Sequence, residues 1–362
     1  SKYKTNNTMG NLLESPNMTR IHCKNAENNH LYYGTCGSQG YRINMEDDLS
    51  ADLSVDSNPN ISYFAVYDGH GGELASRFCA RKMLSIIVDQ YKIHLKSDSN
   101  TEISSEDVLK SASIRTDAEF KKFLNNNRGD GTTSVSCVVE FNPKKHEFRM
   151  TCANLGDSRC VLCRNGKAEA LSFDHKPSNP GEYKRINAAG GHVFENRVGG
   201  DLALSRAIGD FTYKTNKNLP VDKQQVSCVP DINQATFKYD SGDSVENSFL
   251  IIACDGLWDV MSNQEACDYV STMIKRQRNK DMSHLPEDQK AKSSLEDSIS
   301  KDVADFDAKT YDAFSEKRGT LQNKMDLSLL CARAIDRSIL TLGSKDNVTC
   351  QVVMFKNTQK KK

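Results

Sequence analysis

The chain of 362 residues lacks any excess of charge, since 48 Lys and Arg stand against 48 Asp and Glu. That balance argues against nucleic acid or an anionic membrane surface as the main partner, because both select for basic residues. Long apolar runs are also missing, because the longest, residues 249–254, is far shorter than the roughly 20 residues of a membrane helix. No basic segment followed by an apolar stretch opens the chain. We therefore expect a soluble protein of the cytoplasm or nucleus.

The 12 cysteines form no dense framework along the chain. Several lie inside apolar runs, such as Cys137 and Cys254, where a free thiol packs as a small hydrophobe. Cys160 and Cys163 make the only CxxC pair, and a structural zinc site would need a second pair that the sequence does not contain. We expect reduced, buried thiols, as is usual in the cytoplasm and nucleus.

The two ends of the chain and one internal segment differ in composition from the rest. Residues 1–29 are polar and rich in Asn, which predicts a poorly tied-down N-terminal arm. The myristoylation pattern at Gly10 is incomplete, because Glu14 stands where the pattern requires Ser or Thr. Residues 276–324 are charged and contain few large apolar residues, which predicts either a surface insertion or a further helix pair. Residues 358–362 form a basic tail.

Short runs rich in Val, Ile, Phe, Tyr and Cys predict many β-strands. They lie at 31–36, 61–67, 132–140, 148–155, 158–164, 167–172, 226–237, 249–254 and 347–355. Helical spacing of apolar residues predicts helices at 72–91, 105–124, 262–277 and 325–341. Because the strands cluster without a strict β-α-β alternation, we predict antiparallel sheets covered by helices instead of a doubly wound parallel sheet.

Acidic residues stand at the ends of the most apolar predicted strands. Asp68-Gly69 and Asp255-Gly256 each follow such a strand, and Asp346 comes just before the last one. A single Asp in such a place is ordinarily a turn residue that accepts a backbone hydrogen bond. Several that converge at one sheet end would repel one another, and a divalent metal relieves that cost. Oxygen ligands without a His or Cys cluster favour Mg²⁺ or Mn²⁺ over zinc.

Nine ordered motifs carry a resemblance to a known family. They are YRINMEDD, FAVYDGHGG, DGTTSVSCVV, ANLGDSR, DHKPSNPGEYKRINAAGGHV, LALSRAIGDF, VPDI, CDGLWDVM and SKDNVTC. In this order they resemble the metal-dependent serine/threonine protein phosphatases, the protein phosphatase 2C family, over residues 32–355 apart from the insertion. The resemblance implies an α+β fold, a four-layer αββα sandwich of two central antiparallel sheets flanked by helices. The catalytic domain would span residues 30–357.

The resemblance also implies a set of metal ligands. Asp68 would bridge two divalent cations, Mg²⁺ or Mn²⁺. Glu46 and the carbonyl of Gly69 would complete the site of one ion, and Asp255 and Asp346 that of the other.

Further roles follow from the same resemblance. Asp157 and Asp259, together with Asp255, match the residues that bind a third, weaker ion, and Asp47 matches an outer-shell carboxylate. Arg42 matches the phosphate-binding arginine, and His70 matches the proposed general acid.

The activity that this resemblance implies is hydrolysis of phosphoserine and phosphothreonine in proteins. A water or hydroxide activated between two cations would attack in a single step, with no phosphoenzyme. Residues 176–206 match the family's flap, a subdomain beside the cleft that is implicated in substrate choice. We expect phosphoprotein substrates, no nucleic-acid partner, no integral membrane association and a monomer.

Three other functions fit part of the sequence. Cys36 and Arg42 have the C-x5-R spacing of cysteine-dependent phosphatases, but so do Cys331 and Arg337 inside a predicted amphipathic helix, so the spacing alone is not diagnostic. A catalytically inactive scaffold or binding module would have lost the metal carboxylates, and all of them are present. A metal-dependent nuclease would carry a basic stretch interleaved with aromatic residues, which this sequence lacks.

Overall fold

The structure, a computed structural model, describes residues 12–97, 104–125, 130–238, 248–281 and 325–356. Gly10, the basic tail and residues 282–324 of the charged insertion lie outside the described residues. The first residues of that insertion, 276–281, continue a helix that begins at Asn263.

Strands and helices are numbered here in chain order. The strands are β1 (Leu12–Glu27), β2 (Leu31–Arg42), β3 (Asp48–Asp52), β4 (Ile61–Tyr67), β5 (Gly69–His70), β6 (Gly131–Thr132), β7 (Ser134–Asn142), β8 (Glu147–Leu155), β9 (Arg159–Arg164), β10 (Lys167–Ala170), β11 (Val193–Phe194), β12 (Arg197–Val198), β13 (Ile208–Gly209), β14 (Asp231–Lys238), β15 (Phe249–Ala253) and β16 (Val348–Phe355). The helices are α1 (Leu74–Ser97), α2 (Ser105–Leu124), α3 (Pro180–Ala188), α4 (Asp255–Trp258), α5 (Asn263–Asp281) and α6 (Leu327–Asp336), which runs on into a π-helical turn, Arg337–Thr341.

Two antiparallel sheets form the centre of the molecule. The first has six strands in the order β1-β2-β16-β15-β9-β10, and the second has five in the order β14-β8-β7-β4-β3. Helices α1 and α2 contact the second sheet, whereas α5 and α6 contact the first. The predicted four-layer αββα sandwich is therefore confirmed.

Three apolar layers hold the sandwich together because its central strands are buried on both faces. In β4, Phe64 and Val66 pack between the sheets, while Tyr63 and Tyr67 on the opposite face pack against α1 and α2. The outer face of the first sheet packs against α4, α5 and α6, around the single Trp of the chain, Trp258. Strands buried on both faces carry near-continuous apolar runs, which explains why the sequence shows little polar alternation there.

The prediction of a poorly tied-down N-terminal arm is wrong for residues 12–27. These residues form the edge strand β1, which pairs with β2 through three register shifts. The amide of Asn25 also donates to Asp326 at 2.8 Å, which ties the strand to the start of α6. Polar side chains are tolerated there because an edge strand faces solvent, so the usual apolar signal of a strand is missing.

The cysteines follow the expectation with one exception. Cys23 of β1 and Cys36 of β2 form a disulfide, with Cα atoms 4.2 Å apart, whereas the other ten cysteines are free and buried. Cys160 packs between the two sheets, but Cys163 packs against the helices on the opposite face of β9. Because successive side chains of a strand alternate between its faces, this CxxC pair cannot form one metal or redox site.

Among the described helices, we find none with both the length and the apolar character needed to cross a membrane.

Candidate active site

The strand ends of both sheets bring the candidate carboxylates to one edge of the sandwich. In the first sheet, Ala253 at the end of β15 pairs with Arg159 and with Cys350. Asp255, Asp157 and Asp346 therefore lie just beyond three adjacent strands at the same edge. Antiparallel pairing produces this convergence, because the end of one strand lies beside the start of its neighbour.

The second sheet positions further acidic residues on the facing side of the same edge. Tyr67 at the end of β4 pairs with Asp48 at the start of β3, so Asp68 lies close to Glu46 and Asp47. The backbone of Asp68 is held in place by Thr133, whose hydroxyl accepts from the Asp68 N–H at 3.0 Å. In return, the N–H of Thr133 donates to the carbonyl of Asp68 at 2.9 Å. The side chain of Asp68 is thus presented from a fixed position.

A cavity of about 700 Å³ lies between these two sets of strand ends. Eight of the ten candidate residues line it, namely Arg42, Glu46, Asp68, Gly69, His70, Asp157, Asp255 and Asp346. The residues that do not line it are Asp47, which is buried beside Asp68, and the more exposed Asp259. The structure therefore brings the predicted site together around one opening, to which the flap residues Arg197, Asp201 and Leu202 also contribute.

The negative charges of the cavity carboxylates repel one another. Removal from water, together with the charges of Asp255, Asp47 and Asp346, holds the pKa of Asp68 well above its usual range. Burial and the neighbouring charges of Asp157 and Asp346 likewise raise the pKa of Asp255 well above normal. Burial also raises the pKa of Glu46. Like charges held this close are stable as anions only when a cation compensates them.

Asp47 shows the same lack of compensation behind the cavity. Asp47 is 5% exposed, and the groups that favour its charged form, chiefly the side chains of Thr349 and Cys254, are themselves uncharged. Burial, followed by the charge of Asp346, raises the pKa of Asp47 to about 7. Asp47, Asp68 and Cys254 each offer one ligand atom, and these three atoms lie within 4.8 Å of one another. Two of these three groups are carboxylates, the ligand type that hard divalent cations prefer.

Arg42 places a cation at the entrance of the cavity. Its guanidinium donates to the Oδ2 atom of Asp346 at 2.5 Å, while its side chain is still 53% exposed. The charge of Asp346 raises the pKa of Arg42, against the opposing effect of burial. A guanidinium has five N–H donors, so several remain available to an anionic group that enters the cavity.

His70 is paired with a residue that sequence reasoning did not single out. Its Nε2 atom lies 2.7 Å from the Oδ2 atom of Asp210, which follows β13. Burial acts to lower the pKa of His70, but the charge of Asp210 and the hydrogen bond to it raise the pKa overall. Gly131 makes room for this contact, because a Cβ atom at that position would overlap both side chains. The motif LALSRAIGDF contains Asp210, but it says nothing about which residue Asp210 contacts.

Asn347 is a second residue that sequence reasoning missed. Its side-chain oxygen accepts from the N–H of Glu46 at 2.9 Å, and its amide donates to the carbonyls of Gln39 and Asn44. One buried amide therefore holds the turn that carries Glu46. Asn347 lies inside the motif SKDNVTC, next to Asp346. Apart from this position, the sequence contains no indication of its role.

The C-x5-R spacing of Cys36 and Arg42 does not form a phosphate site. Both residues belong to the extended strand β2, and six residues of strand span about 20 Å. Cys36 is also fully buried and bonded to Cys23. Cys331 is equally buried and donates to the carbonyl of Gly34. Neither thiol can attack phosphorus beside its arginine, so the thiolate alternative fails on geometry.

A family model and related sequences all indicate the same protein family. Residues 31–305 match the family model described as Protein phosphatase 2C. The chain is 37% identical to "Probable protein phosphatase 2C 21" of Oryza sativa, over 67% of this chain and 74% of the relative. It is 39% identical to "Protein phosphatase 2C homolog 2" of Schizosaccharomyces pombe, over 72% of this chain and 67% of that relative.

Solved structures show the same similarity in three dimensions. A phosphatase from a pathogenic strain of Toxoplasma gondii is 25% identical, with a TM-score of 0.65, and the match covers 91% of this chain and 94% of that one. A serine-threonine phosphatase 2C of Toxoplasma gondii has a TM-score of 0.61 at 19% identity, and covers 93% of this chain and 99% of that one. The second likeness supports the fold alone.

Proposed function

The chain belongs to the protein phosphatase 2C family and is a protein serine/threonine phosphatase; from this premise we propose that it hydrolyses phosphoserine and phosphothreonine with two divalent cations. Asp68, Glu46, the carbonyl of Gly69, Asp255 and Asp346 would hold these cations. Metal dependence is general to the family. The assignment of each residue and the two-ion mechanism are the proposal.

One observation supports the proposal above all others. Asp68 and Asp255 are held so close to other acids that their pKa values lie well above the usual range, despite the nearby charges of Arg42 and Lys176. Two divalent cations would supply the missing positive charge, activate a water molecule and neutralise the phosphoryl oxygens. The choice between Mg²⁺ and Mn²⁺ is left open, because both accept carboxylate and carbonyl oxygens.

Arg42 would bind the phosphate group of the substrate. Its planar guanidinium can donate two parallel hydrogen bonds to phosphate oxygens, a geometry that Lys does not offer. The contact with Asp346 at 2.5 Å orients the guanidinium toward the cavity. Arg42 thus links the substrate to a proposed metal ligand.

His70 would donate the proton that the leaving serine or threonine oxygen requires. A histidine can perform this step near neutral pH, provided that its ring is protonated and correctly oriented. The carboxylate of Asp210 at 2.7 Å meets both conditions, because it favours the charged ring and fixes its direction. Asp210 is therefore proposed as a positioning residue of the site.

The test is hydrolysis of a phosphothreonine peptide by the full chain, with Mn²⁺ or Mg²⁺, with EDTA, and with EDTA followed by excess metal. We expect turnover only in the first and third conditions. Turnover that persists in EDTA would contradict the metal-dependent mechanism. The same experiment tests the alternative of an inactive scaffold, which would show no turnover in any condition.

A further inference from the structure

The base of the flap carries a lysine that reaches into the acidic end of the molecule. Lys176 lies two residues after Asp174, and its ammonium group forms an ion pair with the carboxylate of Asp157. Asp157 is 5% exposed and lines the cavity, whereas the Lys176 side chain is 30% exposed. A buried acid of the site is therefore neutralised by a cation that can also reach solvent.

The charge of Lys176 acts on more than one carboxylate. Asp157, Asp255 and Asp174 all lie within electrostatic range of its ammonium. Asp259 lies within that range as well. These three acids, Asp157, Asp255 and Asp259, are the set that the family resemblance assigns to a third, weaker ion. The ammonium of Lys176 therefore contacts one of these three carboxylates, Asp157, and acts on the other two through its charge.

The backbone beside Lys176 is held firmly in this place. The N–H of His175 donates to the carbonyl of Gly156 at 3.0 Å, and the N–H of Gly156 donates to Nδ1 of His175 at 3.1 Å. Asp174 accepts from Arg159 at 2.7 and 2.9 Å. These contacts join the strand ends on both sides of Asp157 to the start of the flap, so the Lys176 side chain begins at a defined point next to Asp157.

We propose that Lys176 is a tethered cation that occupies the charge position of the third ion, so that a third divalent cation binds only when this side chain withdraws. The inference rests on the proposed metal site and adds a residue of the flap to it. An ammonium and a divalent cation cannot both lie against Asp157 without strong repulsion. The third ion is therefore weakened by competition from within the chain, and its binding frees the base of the flap from Asp157.

The test counts bound Mn²⁺ from the electron paramagnetic resonance signal of the free ion, with the full chain at neutral pH. We expect wild type to bind two ions more tightly than a third. In Lys176→Gln the third ion should bind at least about tenfold more tightly, because two charges about 4 Å apart near a protein surface interact by more than the energy of one decade in affinity. Lys176→Met carries the same test should Lys176→Gln fail to fold.

Three controls isolate the charge of Lys176. Lys176→Arg retains a cation and should leave the third affinity within about threefold of wild type, since the local charge is unchanged. Lys184→Gln removes an equal charge from an exposed position of α3 and should have no effect. The gain of Lys176→Gln should vanish when it is combined with Asp157→Asn, because the third ion then loses a ligand.

The outcomes separate this inference from the proposed function. A wild-type chain that binds no Mn²⁺ would contradict the proposed metal site itself. Two tightly bound ions in wild type, with an unchanged or weaker third ion in both neutral variants, would leave the proposed function intact and overturn the role of Lys176. Lys176 would then be an ordinary ion pair that holds the flap.

Discussion

Two regions of this molecule remove carboxylates from water, and the pKa values of those carboxylates shift in opposite directions. At the cavity, Asp68 and Asp255 lie among other acids, and their pKa values are raised well above the usual range. At the base of the flap, Glu182 is even less exposed than these two residues, at 6%, but its pKa is lowered to about 2. Burial alone would raise the pKa in both regions, so the difference comes from their partners.

The partners of Glu182 are within the chain. Its carboxylate receives hydrogen bonds from Arg185 at 2.6 Å and from Arg206 at 2.7 Å, and the hydroxyl of Ser205 donates to it at 2.5 Å. Arg206 continues to Asp231, at 2.6 Å, and His175 lies 3.0 Å from the same carboxylate. These two partners lower the pKa of Asp231. The flap cluster thus contains its own cations.

The flap cluster has the properties of a structural cluster, whereas the cavity has those of a ligand-binding site. Buried charges that the chain compensates itself hold a subdomain in one arrangement, at a desolvation cost that their hydrogen bonds offset. Buried charges without internal compensation require a group from outside. Asp68 and Asp255 belong to the second kind, because the nearby cations Arg42 and Lys176 pair with Asp346 and Asp157 instead.

The largest expected effect comes from Asp68→Asn. The turnover number for a phosphothreonine peptide should fall by at least about 100-fold, since even residues that only support metal ligands are worth about 10–100-fold. The thermal midpoint of the metal-free protein should stay the same or rise, because a mutually repelling carboxylate is removed. Steady-state kinetics and thermal unfolding in EDTA measure the two quantities.

The matched control is Asp222→Asn, which removes a carboxylate that is 43% exposed and lies between the flap and β14. It should change neither turnover nor the thermal midpoint. If Asp68→Asn retained wild-type kinetics, Asp68 would have to be removed from the proposed site.

The opposite pattern is expected for Glu182→Gln. This change leaves Arg185 and Arg206 buried without their shared anion, and breaking a buried pair in this way costs about 3–5 kcal/mol of stability. Denaturant unfolding should show that loss in the free energy of unfolding, whereas Glu195→Gln on the exposed part of the flap should show none. An unchanged free energy of unfolding would mean that the flap cluster is not a structural support.

The smallest expected effect is a pH dependence of opposite sign in the two regions. The pKa of Asp47 is raised from 3.8 to about 7, so its contribution to stability is present at low pH and is lost as the pH rises through 7. The pKa of Glu182 is lowered from 4.5 to about 2, so its contribution is present above pH 4.5 and is lost as the pH falls toward 2.

Thermal midpoints of the metal-free protein between pH 2 and pH 8 measure both trends. Asp47→Asn should flatten the fall between about pH 4 and pH 7, and Glu182→Gln should flatten the fall below pH 4.5. If both variants retained the wild-type profile, the contrast between the two regions would not arise from these groups.

Much of the fold could be predicted from local patterns. The helix expected at 105–124 agrees with α2, and the strand expected at 61–67 agrees with β4. Strong apolar periodicity makes such elements visible without an alignment. The edge strand β1 was missed because its side chains are polar and its pairing with β2 is interrupted by register shifts. Its formation depends on a partner strand, which local sequence does not reveal.

The candidate site, like the fold, could be predicted from the sequence only in part. The motif residues Asp68, Asp255 and Asp346 stand at predicted strand ends, and the cavity contains all three. By contrast, only the folded structure shows that Asp210, 140 residues after His70, contacts that histidine. The contact between Lys176 and Asp157 is likewise visible only in the structure. No spacing rule links residues so far apart, because their distance depends on how the flap returns to the cleft.

The sequence by itself determined the family, the layered class of the fold and the identity of the acidic residues, because buried runs and ordered motifs are local properties. Only the tertiary structure decided which acids receive a cation from the chain and which do not. That difference depends on distances between side chains from separate strands and from the flap. Electrostatic energy falls with distance and with exposure to water, and neither quantity can be obtained from the order of residues alone. The neutral total charge of the chain therefore conceals one cluster of acids that the chain compensates fully and one that it compensates only in part.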